Sequence, residues 1–397
     1  MVSTVDPARH SQQAPSGVQL PCLSPERVLS ADWPIVDLRS PGEFAQDRIL
    51  RAVNQPLFDD AERVLVGTLY RQVSPEEAYA RGLEITTGKV AALVERIAAD
   101  AGFTVRDSDI LSCMQSIACG GKDSLERRLQ VVPSEEQELP TGAFVVHCWR
   151  AGLRSQSVCA LLRELGLPAY LLAGGYKAYR RLVLDRLATL EFPRAFVLRG
   201  LTGVGKTLVL REIERLEPGS TLDLEELAQH RSSILGAAGL KPTSQRLFES
   251  SLLQRYRRGF PAGFVFYEGE SRKVGSAIQP ERVWASLCAG ADLRLVASTA
   301  RRVQVLSEDY LESPESRPFL EKQLPFLEQR IGPKQFDGVL VDLLRENRTD
   351  ELVEVLLERY YDPLYRRSEP NYEVLAEFDA DDPVVCAKRL LAFARAH

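Results

Sequence analysis

Apolar residues recur along this chain with two different spacings, and the spacing divides it into strands and helices. Short runs rich in β-branched and aromatic residues predict buried strands at Ile35 to Leu38, from Phe144 up to Cys148, and at Ala169 to Ala173. Further runs at Ala195 to Arg199, Gly263 to Tyr267 and Leu293 to Ala297 predict three more. Between them the apolar positions fall three or four apart. Val64, Leu65, Leu69 and Tyr70 predict a helical region within 60–84, and Val90, Leu93, Val94 and Ile97 predict another over 87–101. Both faces are expected to be core. Val158, Leu161, Leu162 and Leu165 give a helix that stops at Gly166, and Leu208, Leu210 and Ile213 mark one after residue 207. Strands alternating with helices predict an α/β protein with largely parallel sheets, in which ligands bind at the carboxyl ends of strands.

Two stretches break the pattern. The first residues, MVSTVDPARHSQQAPSG, have no apolar period and read as a flexible tail over 1–20. The segment 102–141 loses clear periodicity, ends in the charged PSEEQELPTG, and is expected to be an excursion carrying little of the core. A chain of 397 residues is too long for one ordinary core. The predicted division is a first α/β domain over 21–191 and a second over 192–397, beginning at the turn around Pro193. The second closes with a helix, a turn and a last strand in LLERYYDPLYRR and YEVLAEFDADDP.

Composition narrows the class. With 45% apolar and 26% charged residues and a formal charge of −5, the chain reads as a globular protein rather than a basic nucleic-acid coat. Seven scattered cysteines, an odd number, do not form a disulfide framework, so a reducing cytoplasm is expected. No run reaches the ~18 to 20 apolar residues of a membrane span, and no signal-peptide core precedes the first strand. Cys113 and Cys119 lack a second pair or a nearby histidine, which argues against a zinc site.

Two stretches carry candidate chemistry. In FVVHCWRAGLRS a strand runs into Cys148, then into a loop holding Arg150, Gly152 and Arg154, then into a helix. Backbone N–H groups, the positive end of a helix and two guanidinium groups all favour an anion, and a thiolate, at that place. The second stretch, GLTGVGKT, matches the full phosphate-loop pattern between a strand and a helix. Gly200, Thr202, Gly203, Val204 and Gly205 supply the turning backbone, Lys206 neutralises phosphate, and Thr207 can hold magnesium. Asp223, Glu268 and Glu270 follow apolar strands downstream, and any of them can be the acidic partner of the phosphate loop. Asp37 and Arg39 bracket a strand end and read as a structural ion pair. Basic and aromatic residues cluster at Lys177 to Arg181, at Arg255 to Arg258 and at Tyr360 to Arg367, a pairing that suits phosphate contact with base stacking or, equally, a solvated helix face.

The first half, with IVDLRSPGEF, AVNQPL, the strand into Cys148 and LLAGGYKAYR, resembles a rhodanese domain, a family that carries sulfur as a persulfide. Its loop departs from the usual rhodanese pattern, because Arg154 stands six positions after Cys148, as in cysteine-dependent phosphatases, and His147 adds to that likeness. The loop alone therefore leaves chalcogen transfer and phosphoester hydrolysis open.

Taken in order, IVDLRSPGEF, HCWRAGLRS, LAGGYKAYR, GLTGVGKT, DLEELAQHR, EGESRKVGS and YYDPLYR closely resemble the bacterial tRNA 2-selenouridine synthase family over most of 32–368. The resemblance implies a rhodanese-like domain followed by a P-loop domain. It also implies replacement of the wobble 2-thiouridine sulfur by selenium, through geranylation from geranyl diphosphate and displacement by selenophosphate. Cys148, Arg150 and Arg154 would then handle selenium, and the loop around Lys206 the diphosphate. Lys177, Arg180, Arg231, Arg272, Tyr361 and Arg366 become candidates for tRNA or substrate contact. The implied partners are thiolated tRNA, the two co-substrates and a selenophosphate-supplying enzyme, with magnesium as an accessory ion and no tightly bound cofactor. The alternatives are an ATP-dependent rhodanese-type tRNA sulfurtransferase, a cysteine phosphatase fused to a P-loop kinase, and an RNA-binding module with an inert Cys148.

Overall fold

A computed structural model describes residues 17–269, 271–311, 314–365 and 373–397. The chain divides into two units, Met1–Asp185 and Arg186–His397.

The first unit runs β1 (Val18–Leu23), α1 (Pro25–Ser30), β2 (Ile35–Asp37), α2 (Pro41–Gln46), β3 (Ala52–Asn54), then three helices, α3 (Asp60–Gln72), α4 (Pro75–Thr87) and α5 (Val90–Asp100). It continues with α6 (Asp107–Ala118), α7 (Gly121–Arg128), β4 (Leu129–Pro133), β5 (Phe144–His147), α8 (Leu153–Glu164), β6 (Ala169–Leu172) and α9 (Gly175–Leu187). The six strands form one sheet in the order β3-β2-β5-β6-β1-β4, with every pairing parallel. β5 lies inside the sheet, and all four of its residues are buried. Strands covered on both faces read as continuous apolar runs, which is why this one was visible without an alternating pattern. Ser24, Asp59 and Ser74 cap α1, α3 and α4 by accepting a backbone N–H three residues on, so these helix starts are written locally.

Three expectations fail here. The tail expected over 1–20 overlaps β1, which starts at Val18 and buries Leu20, while 1–16 lie outside the described residues. The stretch 102–141 is not an excursion: α6, α7 and β4 occupy most of it, and Ile110, Ile117, Leu125 and Leu129 enter the core. Its helical spacing is carried by few apolar residues among many polar ones, too weak a signal to stand out. The third correction concerns α3. α5 buries Val90, Leu93, Val94, Ile97 and Ala98. α3 buries nothing, and its Val64, Leu65 and Tyr70 are exposed. An apolar stripe becomes core only where another element covers it.

The second unit runs β7 (Arg194–Arg199), α10 (Lys206–Leu216), β8 (Thr221–Leu222), α11 (Leu224–Ala228), α12 (Gln245–Arg257), β9 (Phe264–Glu268), the hairpin β10 (Lys273–Val274) and β11 (Ala277–Ile278), and α13 (Glu281–Ala289). It goes on with β12 (Ala291–Val296), α14 (Thr299–Leu311), α15 (Ser316–Ile331), α16 (Val339–Arg345) and α17 (Thr349–Leu356). After a π turn at Leu357–Tyr361 come α18 (Asp362–Tyr365), β13 (Val374–Asp379) and α19 (Pro383–Ala396). The main sheet has the order β13-β12-β7-β9-β8, again wholly parallel, with β7 in the middle. One core joins this sheet to α10 and α19 through Phe196, Phe266, Leu293, Ile213 and Leu390. A separate core, around Leu320, Leu324, Leu340 and Leu344, holds α14 to α17 and the turn after them together. Among the described residues no helix is long and apolar enough to cross a membrane.

Candidate functional site

Each unit carries a strand, a tight loop and a helix start at the middle of its sheet. In the first, β5 delivers Cys148, which is 2% exposed, with Sγ 3.1 Å from the hydroxyl of Ser155. Gly152 stands at the N-cap of α8, and no side chain caps this helix start. Its N–H groups and macrodipole are thus left for an anion. Arg150 is exposed, and Arg154 is half-buried with Nη1 4.0 Å from the Glu43 carboxylate. A thiol, two guanidinium groups and a helix start in one loop make a cradle for a nucleophile and an anionic donor.

The loop is held from below by groups far away in sequence. The N–H groups of Tyr176 and Lys177 donate to the carbonyls of Cys148 and Trp149, each at 2.9 Å. Gly175, at φ +63°, allows that approach, since a Cβ there would lie 2.6 Å from both the Ala151 nitrogen and the Cys148 oxygen. The Tyr176 ring lies tilted against Trp149, 5.1 Å between centroids, and its hydroxyl donates to Asp47 at 2.6 Å. Arg39 lies over the Tyr176 ring at 3.8 Å and joins Asp37 at 2.6 Å with both side chains buried, so the ion pair read from sequence is structural. Burial alone would raise the Asp37 carboxyl, but His147 and Arg39 bring it below the ordinary value. Burial pushes His147 down, against the pull of the Asp37 carboxylate 3.6 Å from its Nε2. His147 points into this support and its side chain is fully buried.

A cavity of about 720 Å³ adjoins the same loop. Cys148, Trp149, Arg150 and Arg154 line one part of it, and α3, α4, α6 and α7 supply much of the rest. The exposed apolar face of α3 meets this space through Val64 and Tyr70.

In the second unit the phosphate loop follows β7. Gly200 (φ +147°) passes so close to β12 that a Cβ would lie 2.5 Å from the Leu295 carbonyl, and Gly203 (φ +83°) faces the Arg302 carbonyl in the same way at 2.8 Å. Gly205, also at φ +83°, is the N-cap of α10, and the Lys206 ammonium donates to the Gly200 carbonyl at 3.3 Å. Arg302 donates to the Thr202 carbonyl at 2.9 Å and pairs with Asp362 at 2.5 Å. Thr202, Val204 and Thr207 take their places along this loop and the first turn of α10.

Among the acids, Glu268 is fully buried at the end of β9, paired in register with Leu198 of β7. It therefore ends on the strand next to the phosphate loop. Asp223 follows β8, one strand further out, and caps α11 through the Glu226 N–H; burial raises its carboxyl to about 6. Glu270 and Arg366 lie outside the described residues.

The candidate contact residues divide. Lys177 and Arg272 are exposed, the latter paired with Glu281 at 2.5 Å, and Arg180 is half-buried on α9. Tyr361 is 3% exposed within the helical core, so its ring cannot stack on a base. Arg231 donates to the Ala238 carbonyl at 2.8 Å and lies over the Tyr310 ring, which ties it into the fold. Ser155, Glu43, Arg302 and Asp362 were not singled out from sequence. Ser155 directly follows Arg154, Glu43 stands in IVDLRSPGEF and Asp362 in YYDPLYR, whereas Arg302 carries no local signal.

Fold and site together define a two-unit α/β protein with a cysteine–arginine anion loop on one parallel sheet and a phosphate loop on another. Residues 193–387 match the family model described as the tRNA 2-selenouridine synthase AAA domain. The chain is 30% identical to the tRNA 2-selenouridine synthase of Cupriavidus pinatubonensis, over 90% of this chain and 95% of that one. Identity is 27% to that of Hydrogenovibrio crunogenus (89% and 95% covered) and 29% to that of Pseudomonas paraeruginosa (90% and 93%). The chain belongs to the tRNA 2-selenouridine synthase family.

Proposed function

We propose that the chain replaces the sulfur of wobble 2-thiouridine in tRNA by selenium in two steps, using one anion loop for each. The first unit, with Cys148 at a strand end in a basic loop, is read as a rhodanese-like domain over 21–191, and 192–397 as the P-loop domain. In the first step the uridine sulfur attacks the allylic carbon of geranyl diphosphate; a C–S bond forms, a C–O bond breaks and diphosphate leaves. Lys206 and the N–H groups of residues 200–207 suit two linked phosphates, and such a loop grips a prenyl diphosphate as well as a nucleotide. The Thr207 hydroxyl and the Glu268 carboxylate are the oxygen donors that suit a magnesium ion, which would neutralise the departing diphosphate.

In the second step selenium from selenophosphate attacks C2 of the alkylated base. The C2–Se bond forms, the C2–S bond breaks, and the electron pair leaves as geranylthiolate, which takes up a proton; water then cleaves the Se–P bond. Alkylation makes sulfur a workable leaving group. Cys148 stands beside the donor as the catalytic side chain of this loop, and Arg150, Arg154 and the open start of α8 hold the anionic donor.

The observation that carries this reading is the buried Cys148 thiol at an uncapped helix start, flanked by Arg150 and Arg154. The test is mass spectrometry of nucleosides after incubating the protein with thiolated tRNA, geranyl diphosphate and selenophosphate, each omitted in turn. Geranylated nucleoside should accumulate without selenophosphate, and neither product should form without geranyl diphosphate. Selenium incorporation without any prenyl donor would overturn the two-step order.

A further inference from the structure

The α3 helix poses a problem that its neighbours do not. Its Val64, Leu65 and Tyr70 are exposed, Val66 packs partly buried against the core, and it borders a cavity of about 720 Å³. That volume lies within the roughly 300 to 1,000 Å³ of small-molecule sites. More of the lining is apolar than polar. The walls from α3, α4, α6 and α7 carry Val64, Tyr70, Ala78, Leu83, Met114 and Ile117, with Arg71, Lys122 and Glu126 the charged groups among them. Near Cys148 it holds Arg63, Arg150 and Arg154, with Glu43 the nearby acid. A ligand that fits both ends has a hydrocarbon chain of moderate length and reacts, or carries negative charge, at the end beside Cys148.

We propose that this cavity holds the isoprenoid chain of the S-alkylated thiouridine while selenium attacks C2, so that the leaving group departs into it. The inference rests on the two-step reading above and adds to it where the chain lies. The bond changes are those of the second step: C2–Se forms, C2–S breaks, and the thiolate takes a proton and departs as a neutral thiol with its tail in the apolar space. Burying the tail removes apolar surface from water and aligns C2 with the cysteine loop. Arg150 and Arg154 stand where negative charge gathers on the selenium donor and the departing sulfur.

Gly67 makes the idea testable without damaging the fold. It sits within α3, lines the cavity, and a Cβ built on it meets nothing within 4 Å. Gly67→Phe places a ring in the cavity, and replacing a helical glycine favours the helix. Gly88 at the end of α4 also faces open space but does not line the cavity, so Gly88→Phe is the matched control. The experiment uses the full chain with selenophosphate and two oligonucleotides, one with S-geranyl-2-thiouridine and one with the five-carbon S-dimethylallyl analogue.

Gly67→Phe should lower kcat/KM for the geranyl substrate by about tenfold or more while sparing the dimethylallyl one, because a few methylene groups discriminate on that scale. Gly88→Phe should match the unaltered protein on both. Equal activity of Gly67→Phe on the geranyl substrate would overturn the cavity assignment and leave the two-step reading standing. Equal losses on both substrates would also overturn it, since the ring would then be disturbing the loop rather than excluding a chain. If the unaltered protein fails to convert the geranyl substrate at all, the two-step reading fails and the assignment falls with it.

Discussion

The two anion loops invite comparison because they share one architecture and solve its problem differently. Both follow the central part of a parallel sheet and both end in a helix N-terminus. The phosphate loop relies on backbone: Gly200, Gly203 and Gly205 take positive φ, and two of them press against other carbonyls. The cysteine loop relies on side chains, with Cys148, Arg150 and Arg154 around a single positive-φ alanine, Ala151. The supports differ as well. One ion pair, Arg302 with Asp362, holds the phosphate loop at Thr202. A buried network of Asp37, Arg39, Asp47, Tyr176 and His147 underlies the cysteine loop. A loop that grips fixed phosphates can be built almost wholly from backbone, whereas one that presents a nucleophile needs its side chain aimed from beneath.

The widest separation between the loops should come from their reacting groups. Cys148→Ser should abolish selenium incorporation while leaving geranylation largely intact, as read by nucleoside mass spectrometry; loss of both would mean that the cysteine organises a shared site. Lys206→Ala should do the reverse, stopping geranylation and weakening diphosphate binding measured by calorimetry. Normal geranylation by that variant would remove the phosphate loop from the first step.

Next in size are the supports. Arg302→Leu leaves the Asp362 carboxylate without its partner and the Thr202 carbonyl without its donor. Breaking such a pair costs about 3 kcal/mol when it is well buried, and Asp362 keeps some exposure, so a loss of about 2 kcal/mol in denaturant unfolding is expected. The double variant Arg302→Leu with Asp362→Leu should recover part of it. If both variants unfold like the unaltered protein, the pair does not hold the loop.

The smallest effect is that of pH. His147 is lowered by burial, so the unfolded chain takes a proton at this residue before the folded one does. Its stabilising contribution is complete above the ordinary value of 6.5 and is lost as pH falls from there toward the lower folded value. Asp37, lowered as well, contributes above its ordinary 3.8 and loses that contribution only at more acid pH. His147→Gln should therefore flatten the decline in melting temperature just below pH 6.5 and leave the more acid decline in place. An unchanged slope just below pH 6.5 would show that His147 is not the group responsible.

The phosphate loop was fully legible because its pattern is contiguous: strand, glycines, lysine and helix lie within fourteen residues of β7 and early α10. The cysteine loop was legible for the same reason. What escaped was non-local. Asp223 and Glu268 look alike in sequence, and only the pairing of β9 with β7 brings Glu268 to the strand beside the phosphate loop. Tyr361 looks like a surface aromatic among basic residues until the helices after β12 close around it. The stretch 102–141 hid two helices and a strand behind a polar composition.

The contrast between α3 and α5 shows where the boundary falls. Their apolar spacing is equally clear, yet α5 is core and α3 borders a cavity. By itself the sequence determined most of the strands and helices, the two loop motifs and the family, because hydrogen bonds and periodicity act over a few residues. Strand order, the partner that holds each loop and the apolar face left uncovered were decided by tertiary structure. Those depend on which distant segments meet, and short-range spacing carries no record of that.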